Sequence, residues 1–177
     1  APILKEVKDY IIATLDIIGN PSSIHQAGRE AKNIIENSRE QVAYLVKTDK
    51  NNVVFTSGAT EANNLVIKNF NNIISSNIEH ESIINSSNIS KINVTEEGYV
   101  DLNHLEHVAK NTKEKNTALI SIMHANNETG IIQPLEAIVK ISKKYKILFH
   151  TDAVQTVGRI NVDFNNLGCD FLTLSSH

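Results

Sequence analysis

At 177 residues, 41% of them hydrophobic and 21% charged, the chain is long enough to bury a core, and one domain is the expected count. A formal net charge of −3 without any basic run argues against nucleic acid as a partner, and the apolar runs are too short to cross a bilayer. The one cysteine, Cys169, excludes an internal disulfide framework and points to a reducing compartment: the cytoplasm, or an organelle if a transit peptide has been lost.

The sequence begins Ala1-Pro2-Ile3-Leu4 without a methionine, so the lack of a visible leader carries no weight. Apolar residues at 3, 4, 7, 11, 15 and 18 predict a first helix, which Gly19-Asn20-Pro21-Ser22-Ser23 breaks. A longer helix is predicted over about 24–47, with Ala27, Ala31, Ile34, Ile35, Val42 and Leu45 along one face. His25, near its start, reads as a capping or solvated histidine.

The apolar run 53–55 reads as a strand and 62–70 as a helix, with Thr56-Ser57-Gly58-Ala59-Thr60 turning between them. Free N–H groups at that helix start, together with the positive end of its dipole, suit a phosphate. The other reading is a well-capped helix in which Ser57 or Thr60 binds its own backbone. Both stay open on this segment alone.

Ile73 and Ile74 suit a strand, Glu79-His80-Glu81-Ser82 a helix start, 91–94 a further strand and Glu97-Gly98 a turn. Leu102, Leu105, Val108 and Ala109 make a helix face from which His104 and His107 are excluded. The run 117–123 is a strong strand that opens into His124-Ala125-Asn126-Asn127-Glu128-Thr129-Gly130. Pro134 then starts a helix with Glu136 in its first turn and Lys143 and Lys144 in its last, in keeping with the helix dipole. Another buried strand, 147–150, runs into Thr151-Asp152-Ala153-Val154-Gln155, and the last, 171–174, ends at Ser175-Ser176-His177.

Four predicted strands thus end in polar clusters. Alternating strands and helices imply an α/β fold, a mostly parallel sheet with helices on both faces, and all four clusters would then share one rim. Asp152 is the residue to explain, because a carboxylate that follows a buried strand needs a cation or donors. Phosphate donors, a lone carboxylate and side-chain amides together suit a phosphorylated, cationic heteroaromatic group.

Thr56-Ser57-Gly58-Ala59-Thr60-Glu61, Ser121-Ile122-Met123-His124-Ala125-Asn126-Asn127-Glu128-Thr129-Gly130 and His150-Thr151-Asp152-Ala153-Val154-Gln155 resemble the cysteine desulfurases. These are pyridoxal-phosphate enzymes of fold type I, within the class-V aminotransferases, that supply sulfur for iron–sulfur clusters. The loop Gly19-Asn20-Pro21-Ser22-Ser23-Ile24-His25 and the ending Ser175-Ser176-His177 are also similar to that family's, with Ser176 in place of its commoner glycine. The resemblance implies pyridoxal 5′-phosphate as cofactor, L-cysteine as substrate, a homodimer and a sulfur-acceptor scaffold protein as partner.

By the same resemblance Asp152 pairs with the protonated pyridine nitrogen, and Asn127 and Gln155 hydrogen-bond near the phenolic oxygen. His80 stacks on the ring and moves protons, while Ala59, Thr60, Ser175 and His177 hold the phosphate. The chain 1–177 then corresponds to the central part of the cofactor-binding large domain. The family's N-terminal strand would precede residue 1, its cofactor lysine would stand at position 178, and its mobile catalytic cysteine would come further on. Cys169 reads as a buried bystander. The spacings from Glu61 to His80 and from His80 to Gly98 are shorter than the family pattern.

Other readings are a selenocysteine lyase or another class-V aminotransferase-like enzyme, a metal-hydrolase site built from His124, Glu128, His150 and Asp152, and a non-catalytic module.

Overall fold

The computed structural model describes residues 2–176. Two compact units divide them, one ending at Val54 and the other running from Phe55 to Ser176.

The first unit is helical. Its α1 spans Lys5–Leu15 and α2 spans Gln26–Leu45, followed by a short 3₁₀ turn at Lys50–Asn52. His25 caps α2, its Nδ1 accepting from the backbone N–H of Gly28 at 3.2 Å, which is the capping role its position suggests. Gly19 and Gly28 are required by close approach: a Cβ at Gly19 would lie 2.2 Å from Ala27 O, and one at Gly28 2.3 Å from Ser23 O. The predicted face of α2 is in large part the packed one, with Ala27, Ala31, Ile34 and Val42 half-buried. Ala43 and the capping Val46 are buried, whereas Ile35 and Leu45 are exposed, because hydropathy alone does not distinguish two adjacent apolar stripes.

The second unit is built on a five-stranded sheet, all parallel, in the order β2-β1-β3-β4-β5. These strands are β1 Asn72–Ser76, β2 Ile89–Ile92, β3 Ala118–Ser121, β4 Leu148–Asp152 and β5 Phe171–Thr173. Helices α3 Ala59–Ile67, α4 Glu81–Ile84, α5 Leu102–Asn111, α6 Leu135–Tyr145 and α7 Phe164–Leu167 connect them.

Neighbouring strand residues face opposite sides, so one strand feeds two cores. Ile74, Ile120 and Phe149 pack with Leu105 and Ala109 of α5 and with Leu135, Ile138 and Val139 of α6. Ile73 and Leu119, one residue earlier in register, pack with Ile67 of α3 and with Phe70 and Phe171. Both faces are therefore covered by helices, and the α/β reading of the sequence holds.

The run 53–55 is the exception. It forms no strand, Val54 is 68% exposed and Phe55 47%, and the sheet is assembled without it. An apolar triplet fits a buried strand by composition, but strand formation also needs a neighbour to complete its backbone hydrogen bonds.

The order 2-1-3-4-5 reverses direction between β1 and β3, and open α/β sheets bind ligands outside the carboxyl ends of the strands at such a point. Core packing sets that rim. Phe149→Ala, at a fully buried position, is expected to cost about 3–5 kcal/mol in urea unfolding. Leu148→Ala, at a position 41% exposed, should cost less than about 1 kcal/mol.

Candidate functional site

Asp152 is the last residue of β4 and only 8% exposed. Its Oδ1 accepts from the backbone N–H of Val154 at 3.0 Å, and its Oδ2 accepts from Asn63 Nδ2 at 2.7 Å. Both donors are neutral. Among the described residues no cation forms an ion pair with it.

Asn63 reaches Asp152 from α3, one turn after Thr60, so the start of α3 and the end of β4 lie at the same rim. At that start Glu61 Oε2 accepts from both the N–H and the Oγ of Ser57, at 2.6 Å each. These bonds hold the Glu61 carboxyl below its ordinary range. The N-cap residue Gly58 supplies no side-chain cap to the first-turn N–H groups, and a Cβ added there would meet nothing within 4 Å. Ser57 is thus consumed in a local contact with the Glu61 side chain and not in capping the helix backbone, so the well-capped reading fails and the helix start itself stays open to an anion.

The end of β1 leads to Glu79 and His80. Glu79 is 5% exposed; its oxygens accept from Met123 N at 3.0 and 2.9 Å, and one also accepts from Ser76 Oγ at 2.6 Å. That carboxyl spans β1 and β3 at the reversal point. Burial pushes its pKa up to about 8, outweighing the Ser76 and Met123 bonds, with the Asp152 charge adding to the rise. His80 is exposed and caps α4, its Nδ1 accepting from Ser82 N at 3.1 Å and lying 2.9 Å from Ser82 Oγ.

Beyond β3, Asn126 is consumed structurally. Its Oδ1 accepts from the N–H groups of Glu128 and Thr129, and its Nδ2 donates to Ile78 O. Asn127, the next residue, is exposed and available to a ligand. Gln155 is half-buried, its Oε1 accepting from Arg159 Nη1. Ala59 and Thr60 lie in the first turn of α3, and Ser175 follows β5, which pairs Thr173 with Asp152. The predicted site residues Ala59, Thr60, His80, Asn127, Asp152, Gln155 and Ser175 therefore all follow the carboxyl ends of strands or open a helix at that rim. His177 lies outside the described residues.

The alternative metal site does not assemble. His150 is fully buried with Nδ1 against Ser121 Oγ at 2.9 Å and Nε2 against Thr173 Oγ1 at 3.0 Å, and burial lowers its pKa to about 3. His124 Nδ1 is engaged by Thr156 Oγ1 at 3.0 Å. Among the described residues no group of three potential ligands could hold a metal ion. Cys169 is buried, with its thiol pushed up to about 12, as befits a packing residue and not a nucleophile.

A family pattern, aminotransferase class-V, matches the chain over residues 1–177. This chain belongs to the class-V aminotransferases. Within that family it is 42% identical over 193 aligned residues to cysteine desulfurase IscS of Dictyoglomus turgidum, covering 99% of this chain and 48% of the relative. It is 37% identical over 178 residues to the mitochondrial cysteine desulfurase of Saccharomyces cerevisiae, covering 91% of this chain and 35% of the relative. The solved structure of a NifS-like protein from Rickettsia africae ESF-5 superposes with a TM-score of 0.95 at 44% identity, over all of this chain and 52% of that one. The chain thus spans about half the length of relatives it matches, or less.

Two residues that sequence reasoning passed over stand at this rim: Asn63 and Glu79. Asn63 is fully buried on the α3 face that also carries Ile67, and an amide in phase with a buried isoleucine four residues later is the signal that could have marked it. Glu79 had none, since charged residues beside a histidine are common on surfaces.

Because the folded pKa of Glu79, about 8, lies above its ordinary 4.5, its protonated form favours the folded state. That contribution is fully present below about 4.5 and is lost as pH rises through about 8. Urea midpoints measured across this window should fall with pH, and Glu79→Gln should flatten the fall.

Proposed function

We propose that residues 1–177 form the central part of the cofactor-binding large domain of a cysteine desulfurase, and that its rim holds pyridoxal 5′-phosphate. The observation that carries this reading is the buried Asp152 carboxylate, met by two neutral donors and by no cation among the described residues. A protonated pyridine nitrogen supplies the missing charge. The open start of α3, with room above Gly58, takes the phosphate. Pyridoxal phosphate, when bound, supplies an electron-withdrawing ring that stabilises the charge left on Cα when the substrate loses its proton.

The chain's own residues divide the remaining work. Asp152 keeps the ring nitrogen charged. Ala59 and Thr60, with Ser175 and His177, hold the phosphate; Thr60 is exposed at the helix start and Ser175 half-buried after β5. Asn127 and Gln155 hydrogen-bond near the phenolic oxygen. Gln155 has its amide oxygen on Arg159, so its Nε2 is the group it offers to that task. His80 stacks on the ring and moves a proton. Its Nδ1 accepts from Ser82 N, so in the neutral imidazole the proton sits on Nε2 and that atom does the exchanging.

In the whole protein L-cysteine becomes L-alanine and the sulfur passes to a protein cysteine as a persulfide. Cys169, buried and with its pKa raised to about 12, is not that cysteine. A homodimer and a sulfur-acceptor scaffold protein complete the assembly we propose. Relatives named for a mitochondrial protein and for bacterial ones leave the compartment a matter of the source cell, and among the described residues no helix is long and apolar enough to cross a membrane.

Asp152→Ala in the whole protein tests this reading. We expect alanine release from cysteine to fall by at least about a hundredfold, the loss of one buried charge pair converting at tenfold per 1.4 kcal/mol. The visible absorbance of bound cofactor should shift or vanish with it. Wild-type turnover and spectrum in the variant would remove Asp152 from the site.

A further inference from the structure

Asn63 bridges two elements of the rim with one amide nitrogen. Its Nδ2 donates to Asp152 Oδ2 at 2.7 Å and to Ser82 Oγ at 3.0 Å. Ser82 Oγ lies 2.9 Å from His80 Nδ1, so a continuous path of hydrogen bonds runs from the carboxylate on β4, through α3, to the histidine that caps α4. An amide NH₂ has two hydrogens, and both are spent here. Ser82 Oγ, having accepted from Asn63, is left to donate its own hydrogen to His80 Nδ1, the same atom that accepts from Ser82 N.

The amide orientation follows from the chemistry. Turned over, it would place a carbonyl oxygen 2.7 Å from a carboxylate oxygen. In the orientation that the carboxylate demands, Asn63 Oδ1 is buried with no hydrogen-bond partner in a residue of 0% exposure. The large majority of buried side-chain polar atoms find a hydrogen-bond partner, and an orphaned oxygen costs about 1–3 kcal/mol. Asn63 accepts that penalty while keeping both donors on the two groups of the rim.

We propose that Asn63 is a positioning residue that fixes the Asp152 carboxylate against the ring nitrogen of the cofactor and ties it to His80 through Ser82. This rests on the reading of the rim as a pyridoxal-phosphate site. Asp152 has only two hydrogen-bond donors among the described residues, and the Val154 N–H holds Oδ1 alone. Without Asn63 the carboxylate is free to rotate about its last side-chain bond. A rotated carboxylate loses alignment with a ring nitrogen held in place by its phosphate at the other end.

A double-mutant cycle on pyridoxal 5′-phosphate binding tests the idea. The dissociation constant is measured by equilibrium titration for the whole protein, for Asn63→Leu, for Asp152→Ala and for the double variant, with inorganic phosphate as a second probe. Asn63→Ser is carried through the same cycle in case the leucine does not fold, and circular dichroism checks each variant. We expect Asn63→Leu to weaken pyridoxal phosphate about tenfold, the scale of one charge-assisted hydrogen bond, and to leave inorganic phosphate within about twofold. In the Asp152→Ala background the same substitution should change pyridoxal phosphate affinity by less than about twofold.

Equal losses in both backgrounds, or an equal loss for inorganic phosphate, would mean that Asn63 merely supports the fold, and would overturn the inference while leaving the cofactor reading intact. Failure of the wild-type protein to bind pyridoxal phosphate would overturn the cofactor reading and this inference together.

Discussion

The carboxylate of Asp152 is held out of water at the end of an interior strand, and the rest of the rim is arranged around that constraint. Parallel pairing of β4 with β3 and β5 sets its depth: His124 N donates to Asp152 O, and Ala153 N donates to Thr173 O, continuing the ladder past the strand ends. The main chain around it is therefore satisfied, and only the side chain's charge is left to be answered. Two neutral N–H groups answer part of it. Isolated buried charges are costly enough that proteins pair them or neutralise them, so this geometry is more easily understood as half of a pair than as a finished structural motif.

A second buried carboxyl nearby makes the contrast. Glu79 accepts from Met123 N and Ser76 Oγ, yet its pKa is pushed up to about 8 by burial, with the Asp152 charge contributing. At neutral pH it is mostly protonated. Two acids at one rim thus meet burial differently: Glu79 by holding its proton, Asp152 by accepting from two neutral N–H groups. Glu79 also joins β1 to β3 at the point where strand order reverses, so the residue that spares the rim a second full charge also sets the spacing across it. His80 follows directly in sequence, and its position is inherited from that anchor.

Much of this was legible in the sequence because runs of buried strand residues end abruptly in polar ones. The strands at Asn72–Ser76, Ala118–Ser121, Leu148–Asp152 and Phe171–Thr173 all lie where apolar runs predict them, and three of the four polar clusters do follow carboxyl ends of the parallel sheet, whereas the Ser57/Thr60 turn follows no strand and reaches the rim through α3. The run at 53–55 has the same composition and no place in the sheet, since periodicity records apolarity and not the presence of a pairing neighbour. His80 enters as a site residue only through resemblance; it is exposed, and its cap on α4 depends on a helix of four residues that sequence patterns barely register. Asn63 and Glu79 were invisible for a related reason. Their roles come from contacts with residues 89 and 44 positions away, Asp152 and Met123. Such partners are decided by strand order and helix placement together, and neither residue type announces them.

On the reading proposed above, Asp152 and the start of α3 face the two ends of one ligand. A crystal structure of the protein grown with pyridoxal 5′-phosphate tests it most directly. The pyridine nitrogen is expected at about 3 Å from an Asp152 carboxylate oxygen, with the phosphate against the first-turn N–H groups of Ala59 and Thr60. A cofactor bound away from the carboxyl rim, or one at the rim with its ring nitrogen turned from Asp152 towards another group, would contradict it.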